Sequence, residues 1–202
     1  MSVRGLRKDP QRGSVVRLVI GISGATGAIY AIRILELLRA RGDVETHLVI
    51  TDMGRATIRL ETEYAVQAVE ELANHVYSIK DLAAAISSGS FRTEGMIVAP
   101  CSVKTLSSVA NCLNDNLLTR AADVTLKERR KLVLLVRETP LHAGHCQLML
   151  DASRNGAIIM PPVPAFYTHP KSVLDIVDDT VARVLDIWNL DVATTRWPES
   201  RQ

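Results

Sequence analysis

Short runs of consecutive apolar residues recur along the chain, in place of the strict alternation typical of half-buried strands. Such runs indicate strands that are buried on both faces, as in a parallel sheet covered by helices. Five segments are predicted as strands on this basis: Val15–Ile20, Thr46–Thr51, Met96–Pro100, Leu132–Val136 and Ala157–Met160.

Segments with apolar residues at helical spacing separate these strands. Ala28–Arg41 places Ile29, Ile32 and Leu35 on one face, and Gly42 follows as a stop. Further helices are predicted over Gly54–Ala73 with an interruption, from Leu106–Val109 onward, over Thr119–Arg130 and over Ser172–Leu190. The alternation predicts an α/β fold with one Rossmann-like (flavodoxin-like) domain, an open parallel sheet with helices on both faces.

Composition supports one globular domain. The 202 residues are 47% hydrophobic and 23% charged, enough to bury a sizeable core. Residues 1–14 are predicted to form a flexible basic arm of charge +3, so residues 15–202, the predicted domain, sum to −1 although the whole chain is +2. This near-neutral domain, with 4% aromatic residues, gives no support for nucleic-acid binding.

Localisation follows from two further features. No apolar run approaches the roughly 18 residues that a membrane span needs, and no apolar segment of a secretory signal follows the basic arm. Cys101, Cys112 and Cys146 are odd in number and widely spaced, which excludes a closed disulfide framework and a CxxC metal knuckle. A cytoplasmic protein without a membrane span is therefore expected.

The segments that follow the predicted strands share a composition rich in Gly, Pro, Ser, Thr and charge. They are Gly21–Gly27, Thr51–Gly54, Pro100–Thr105, Arg137–His142 and Pro161–Tyr167. In an open parallel sheet, ligands bind outside the carboxyl ends of the strands. The sequence therefore predicts a ligand site at this edge.

The first of these segments, Gly21–Gly27, joins a strand to a helix through three glycines. Its N–H groups and the helix dipole favour a phosphate, with the hydroxyls of Ser23 and Thr26 as further donors. The GxxGxxG spacing is neither a Walker P-loop nor the dinucleotide fingerprint, and Asp52 comes one residue late for a ribose acid. A mononucleotide such as FMN fits better; the alternative is a tight turn without a ligand.

The next two segments repeat this pattern of hydroxyls before a helix. Thr51 is predicted either to hydrogen-bond a cofactor or simply to cap a helix. Ser102, Lys104 and Thr105 form a second helix N-terminus, with an N-cap as the equal alternative. Cys101 has no activating histidine nearby and is predicted to be buried and inert.

Charged residues cluster in two places. Arg120, Asp123 and Lys127 fall at i, i+3 and i+7 of a predicted helix and share a face. Arg137 and Glu138 follow the fourth strand, where function is favoured over a solvated face. Lys127, Arg137 and Arg183 together are predicted to hold a phosphate or diphosphate.

Four other polar residues are weighed singly. Glu61 either bonds a heterocyclic N–H or lies on the surface of a helix, and the surface alternative is favoured. Prolines stiffen the segment that carries Tyr167, whose phenol is suited to bond a phosphate oxygen or act as an acid. His142 and His145 are three residues apart with no third ligand, which favours a capping or interface role over a metal site.

Several long motifs, in order from about residue 16 to 190, resemble the UbiX/Pad1 family of flavin prenyltransferases. They are Gly21–Tyr30, Glu45–Ile50, Ile86–Thr105, Leu118–Arg130, Arg137–His142 and Gly156–Tyr167. The resemblance implies transfer of a dimethylallyl group from dimethylallyl monophosphate to N5 and C6 of reduced FMN. It also implies a product that serves a UbiD-type decarboxylase, in ubiquinone synthesis or in phenolic (hydroxyarylic) acid decarboxylation, and no metal.

The resemblance also assigns residues. It implies FMN-binding roles for Gly24, Ala25, Thr26, Thr51, Ser102, Val103, Lys104, Thr105 and Arg137. It implies prenyl-phosphate roles for Arg120, Lys127, Arg137, Tyr167 and Arg183, and catalytic roles for Glu138, Lys127, Tyr167 and Glu61. Because the family borrows some of these residues from neighbouring subunits, a homo-oligomer, a dodecamer, is expected.

The chain departs from the family pattern in a few positions, and two other functions stay open. Thr26 and Thr51 stand where serine is common, Asp52–Met53 where Lys-Ala is frequent, and Asn111–Cys112 replaces small or aromatic residues. One alternative is a flavin-dependent cysteine decarboxylase, although no histidine lies between the glycine loop and His47. The other is an FMN-carrying subunit of a hydroxyarylic acid decarboxylase.

Overall fold

The computed structural model describes residues 15–192, which form one parallel sheet with helices on both faces. The strands are β1 Val16–Ile22, β2 Val44–Ile50, β3 His75–Tyr77, β4 Gly95–Cys101, β5 Lys131–Val136 and β6 Ile158–Ile159. The helices are α1 Ala28–Arg41, α2 Asp52–Glu61, α3 Val66–Glu70, α4 Val103–Ala110, α5 Leu117–Lys127, α6 Ala143–Arg154 and α7 Val173–Asp186. Single 3-10 turns lie at Ala85–Ser87 and Phe166–Thr168.

The strand order is β3-β2-β1-β4-β5-β6, and every pairing is parallel. Without the three-residue edge strand β3, the order is that of flavodoxin-like sheets. The order reverses between β1 and β4, so the loops after these two strands diverge to opposite faces and open a crevice. The predicted fold class is confirmed.

Two hydrophobic cores fill the two faces of the sheet. One lies under α1 and α7 and includes Ile32, Leu35 and Val181. The other lies under α4, α5 and α6 and includes Leu106 and Leu118. Strand β4 is buried along its whole length, which explains its continuous apolar sequence.

The predicted ends of several elements shift by a few residues, among them those of the first strand and of the closing helix. Strand β1 runs on through Gly21 to Ile22, because a glycine fits close to the side chains of Met96 and Leu118, which would lie about 3.0–3.2 Å from a Cβ. The closing helix ends at Asp186 rather than Leu190. It begins with a capping box in which Ser172 and Asp175 satisfy each other's backbone N–H groups.

Two elements of the structure were not predicted from the sequence. Strand β3 has three residues, two of them exposed, too few to show a period. Helix α6 buries only Ala152 and therefore lacks a clear apolar face. The predicted arm 1–14 and residues 193–202 lie outside the described residues, and no helix within 15–192 is long and apolar enough to cross a membrane.

Candidate functional site

The loops after β1 and β4 are joined by one buried serine. The hydroxyl of Ser23 donates to the carbonyl of Pro100 at 2.8 Å and accepts from the N–H of Ser102 at 2.8 Å. Ser23 is fully buried. Its hydroxyl therefore holds the crevice in shape, which corrects the prediction that it is a phosphate donor.

A cavity of about 690 Å³ opens beside this junction at the carboxyl edge of the sheet. Gly24, Thr51, Ser102, Lys104 and Thr105 line it, which brings together five of the predicted FMN-binding residues. A Cβ on Gly24 would collide with the side chain of Met53, so glycine is required where the loop passes α2.

Two helix N-termini face the same cavity. The Thr51 hydroxyl accepts from the N–H of Gly54 at 3.0 Å, and the Ser102 hydroxyl accepts from the N–H of Thr105 at 3.3 Å. Both residues are N-caps of their helices, α2 and α4, so the capping alternative is confirmed for each. Capping leaves other N–H groups of the first turns open to an anion, which the two helix dipoles favour.

The amino end of α1 is occupied by a protein carboxylate. Glu61, the last residue of α2, accepts from the N–H of Gly27 at 2.7 Å and from that of Ala28 at 3.4 Å. Gly27 has a φ of 101°, a left-handed conformation that favours glycine. These two N–H groups, which the sequence assigned to a phosphate, are thus paired with Glu61 in the protein.

A second cleft, of about 390 Å³, brings Thr26, Arg137 and Glu138 together with Tyr30. Arg137 extends from the end of β5, and its backbone N–H bonds the carbonyl of Cys101 at 3.0 Å. Burial raises the pKa of the Tyr30 phenol, and the positive charge of Arg137 acts in the opposite direction. The phenol therefore stays protonated beside a fixed cation.

A third cleft, of about 280 Å³, holds Tyr167 and Arg183. It shares Pro161 and Val163 with the second cleft, so the two are adjacent. Arg183 contacts Asp186 at 3.5 Å and its side chain is 68% exposed, which leaves most of the guanidinium accessible to a ligand. The structure thus places Arg137, Glu138, Tyr167 and Arg183 along one continuous edge.

Lys127 and Arg120 are not part of this arrangement within one chain. Helix α5 runs antiparallel to the strands, so Lys127 lies near the amino end of β5, where it pairs with Glu128. Arg120 donates to the carbonyl of Ser87 at 3.2 Å and pairs with Asp123 at 2.9 Å. The prediction that Lys127 joins Arg137 and Arg183 around one phosphate is therefore wrong for residues of a single chain.

Two predictions about other residues are confirmed. Cys101 is fully buried, and burial raises the pKa of its thiol far above the ordinary range. His142 is the N-cap of α6, and its Nδ1 accepts from the N–H of Gly144 at 3.0 Å.

Several lining residues were missed by the sequence analysis. Ile79, Lys80, Leu82, Asp115, Asn116 and Thr119 line the largest of the three clefts, and Thr168, Asp179 and Thr180 line the smallest. Ile79, Lys80 and Leu82 follow the unpredicted strand β3. Asp115, Asn116 and Thr119 lie at the start of α5. The polar residues 114–116 before this amphipathic helix are the sequence signal that could have located them.

The fold and the site define a class: a flavodoxin-like α/β protein with a mononucleotide-sized crevice at the switch point of its sheet. The family model described as Flavoprotein matches residues 7–185. Flavin prenyltransferase UbiX of Thauera aromatica is 58% identical over 177 residues, covering 88% of this chain and 91% of that protein.

Two solved structures are similar over nearly the whole chain. That of AnUbiX (PadA1) in complex with FMN and dimethylallyl pyrophosphate has a TM-score of 0.87 at 49% identity, covering 91% of this chain and 99% of that one. That of a dodecameric FMN-dependent UbiX-like decarboxylase from Escherichia coli O157:H7 has a TM-score of 0.89 at 49% identity, covering 92% and 100%. The chain belongs to the UbiX/Pad1 family of flavin prenyltransferases, as the sequence predicted.

Proposed function

We propose that the protein joins a dimethylallyl group from a dimethylallyl phosphate to N5 and C6 of reduced FMN. The observation that carries this is the position of three clefts at the carboxyl ends of the strands. The mononucleotide-sized cavity is lined by Gly24, and the cleft with Arg137 and Glu138 is lined by Thr26, two residues further along the same loop. That second cleft shares Pro161 and Val163 with the one that holds Tyr167 and Arg183. Acceptor and donor sites are therefore neighbours.

The residues of the largest cavity suit FMN. Its polar lining from Thr51, Ser102 and Thr105 lies at helix N-termini, where a phosphate is favoured. Ile79 and Leu82 supply the apolar surface that a flat ring system needs. Gly24, Ala25, Thr26, Val103, Lys104 and Arg137 complete the proposed FMN-binding set.

The site of the prenyl donor requires groups that stabilise the negative charge that develops on the departing phosphate. When the C–O bond of the prenyl donor breaks, the bonding electrons leave with the phosphate. Arg183 and the Tyr167 hydroxyl lie in one cleft and are placed to stabilise that charge. Reduced FMN supplies N5 and C6 as the atoms that take the prenyl group. Ring closure adds a proton to the prenyl double bond, forms the bond to C6 and removes the proton of C6, and Glu138 is proposed to carry the proton between these positions.

Lys127 and Arg120 are proposed to bind the prenyl phosphate in the site of a neighbouring subunit. Because Lys127 lies at the opposite edge of its own sheet, it serves a prenyl-phosphate site only when another copy of the chain supplies it. Several apolar side chains near the donor cleft in sequence are exposed, Val163, Phe166, Val173 and Leu174 among them, and suit a subunit interface. We propose a homo-oligomer, a dodecamer, with shared sites.

The product's use is a separate proposal. Prenylated FMN made here would be passed to a UbiD-type decarboxylase acting on aromatic or α,β-unsaturated acids, in the cytoplasm. Membership of the flavin prenyltransferase family supports this proposal.

One experiment tests the transfer directly. The protein is incubated without oxygen with reduced FMN and dimethylallyl monophosphate, and in parallel with the diphosphate, and the released flavin is analysed by mass spectrometry. A flavin heavier by one C5 prenyl unit is expected with the monophosphate. Unmodified FMN from both incubations, under conditions in which a known family member works, would reject the proposal and favour an FMN carrier.

A further inference from the structure

A cluster of possible metal ligands lies away from the three clefts, on strands β2 and β3. It consists of Glu45, His47 and His75, whose ligand atoms all lie within 4.8 Å of one another. Glu45 and His47 are two residues apart on β2 and share a face, and His47 is the register partner of His75 on β3. The cluster is thus built on two paired strands.

The distances match the edges of a tetrahedral site. Oε1 of Glu45 is 3.2 Å from Nε2 of His47 and 3.0 Å from Nε2 of His75. A tetrahedral ion with bonds of about 2.1 Å separates its ligands by about 3.4 Å. The rings of His47 and His75 are stacked at a centroid distance of 4.7 Å with 14° between their planes, so the half-exposed His75 has to turn for both nitrogens to meet one ion beside the carboxylate oxygen.

The buried histidine has an atom without a hydrogen bond. His47 is 1% exposed, and its Nε2 is buried with no hydrogen-bond partner although Glu45 is close. Its Nδ1 is 2.9 Å from the hydroxyl of Tyr77. In the tautomer in which Nδ1–H donates to the hydroxyl of Tyr77, Nε2 offers its lone pair to a cation bound between it and the carboxylate of Glu45.

The protonation states fit a metal ligand. Burial lowers the pKa of His47 to about 4, so the imidazole is neutral near pH 7. Burial acts to raise the pKa of Glu45, but the hydrogen bond from Arg17 lowers it below its ordinary value, so this residue is a carboxylate. Neutral imidazole and carboxylate are the forms that bind metal ions.

Neighbouring side chains hold Glu45 and His47 in place. Nε of Arg17 holds the other oxygen of Glu45, Oε2, at 3.0 Å, which leaves Oε1 directed at the two histidines. Tyr77 orients His47, and the edge of Phe91 packs on its ring at a centroid distance of 5.1 Å. Contacts of this kind fix the orientation of side chains that bind a metal ion.

We propose that Glu45, His47 and His75 bind one divalent transition-metal ion, with Zn²⁺ as the favoured ion. Two imidazoles and one carboxylate form a ligand set that suits Zn²⁺, with solvent completing the coordination on the half-exposed side of His75. His47 lies four residues before Thr51, about 13 Å along the strand at 3.3 Å per residue. The ion would therefore be structural, tying the short edge strand β3 to β2.

The test uses the full-length protein, dialysed against a chelator and titrated with Zn²⁺ by calorimetry. We expect one Zn²⁺ per chain in the wild type and an affinity at least about tenfold weaker in His75→Ala. Because His75 is half exposed, this variant should keep its fold, which circular dichroism checks. His142→Ala removes a histidine from the other close pair and should bind Zn²⁺ like the wild type.

Thermal unfolding supplies a second readout. Zn²⁺ should raise the Tm of the wild type and of His142→Ala in a concentration-dependent way, and raise that of His75→Ala only at about tenfold higher Zn²⁺ concentrations. Equal binding by wild type and His75→Ala would overturn the proposal, as would a wild type that binds no Zn²⁺. Loss of binding in His142→Ala alone would assign the ion to surface histidines and overturn it too.

Discussion

Ser23 and Ser102, 79 residues apart, are joined by a hydrogen bond of 2.8 Å from the N–H of Ser102 to the hydroxyl of Ser23. The same hydroxyl donates to Pro100, so one buried side chain ties the loop after β1 to the loop after β4. These two loops border the largest cleft. The width of the proposed flavin site thus depends on a residue that does not line it.

Replacing Ser23 tests whether its hydroxyl stabilises the connection between the two loops. Ser23→Ala leaves the N–H of Ser102 without its partner and leaves the carbonyl of Pro100 with only the backbone N–H of residue 23, at 3.3 Å. We expect a loss of about 1–3 kcal/mol in the free energy of unfolding, together with weaker FMN binding. Urea unfolding and flavin fluorescence titration measure both. Ser153→Ala, on the exposed end of α6, is the matched control, and equal behaviour of the two variants would contradict the prediction.

The carboxylate of Glu61 should stabilise the start of α1. Glu61→Ala removes the acceptor for two N–H groups and a negative charge at a helix N-terminus. A loss of about 1 kcal/mol is expected, with a smaller loss for Glu61→Gln, which keeps an oxygen. Denaturant unfolding gives the values. Glu63→Gln, two residues away and exposed, should unfold like the wild type. An unchanged Glu61→Ala protein would show that the contact adds nothing.

The capping box of α7 predicts a pH-dependent contribution to stability. Hydrogen bonds from the backbone of Lys171 and from Ser172 lower the pKa of Asp175 in the folded protein. A lowered folded pKa means that the stabilisation is complete above the unfolded pKa, about 3.9, and is lost as pH falls through the folded value. Asp175→Asn should therefore be less stable than the wild type at pH 7, and the gap should close below about pH 4.

Urea unfolding of both proteins at several pH values measures this gap. A gap that stays constant down to acid pH would mean that the charge of Asp175 is not what stabilises the helix start.

The three cysteines should differ in reactivity. Cys101 is fully buried, and burial disfavours its thiolate, whereas Cys112 and Cys146 are exposed. Alkylation of the native protein, followed by mass spectrometry, should modify Cys112 and Cys146 and leave Cys101 intact until denaturant is added. Modification of Cys101 at the rate of the other two would contradict its placement in the core.

The proposed sharing of sites between subunits is testable by complementation. Lys127→Ala and Tyr167→Phe should each lower prenyl transfer by about tenfold or more while FMN stays bound. If Lys127 acts on a neighbouring copy, co-expression of the two variants should restore activity in about a quarter of the sites of mixed oligomers.

Two controls make the complementation specific. Arg129→Ala, on the exposed turn next to Lys127, should keep full transfer activity. Mixing the two purified variants without subunit exchange should restore nothing. Absence of recovery in co-expressed oligomers would mean that Lys127 and Tyr167 do not combine across copies.

Local pattern was sufficient for most of the fold. Continuous apolar runs predicted five of the strands, because a strand buried on both faces must be apolar at every position. The same logic failed for β3 and α6, which bury too little surface to show a period. The glycine loop and the hydroxyls at Thr51 and Ser102 were located correctly because parallel strands bring their carboxyl ends to one edge.

Long-range partners were beyond the reach of the sequence. By itself the sequence determined the fold class, the edge that carries the site and the family. Only the tertiary structure decided that Glu61 caps α1, that Ser23 ties two loops and that Lys127 lies at the far edge. It also decided that His47 meets His75. The reason is physical: periodicity records how each segment is buried, whereas a contact between distant residues depends on how the segments pack and in which direction each one runs.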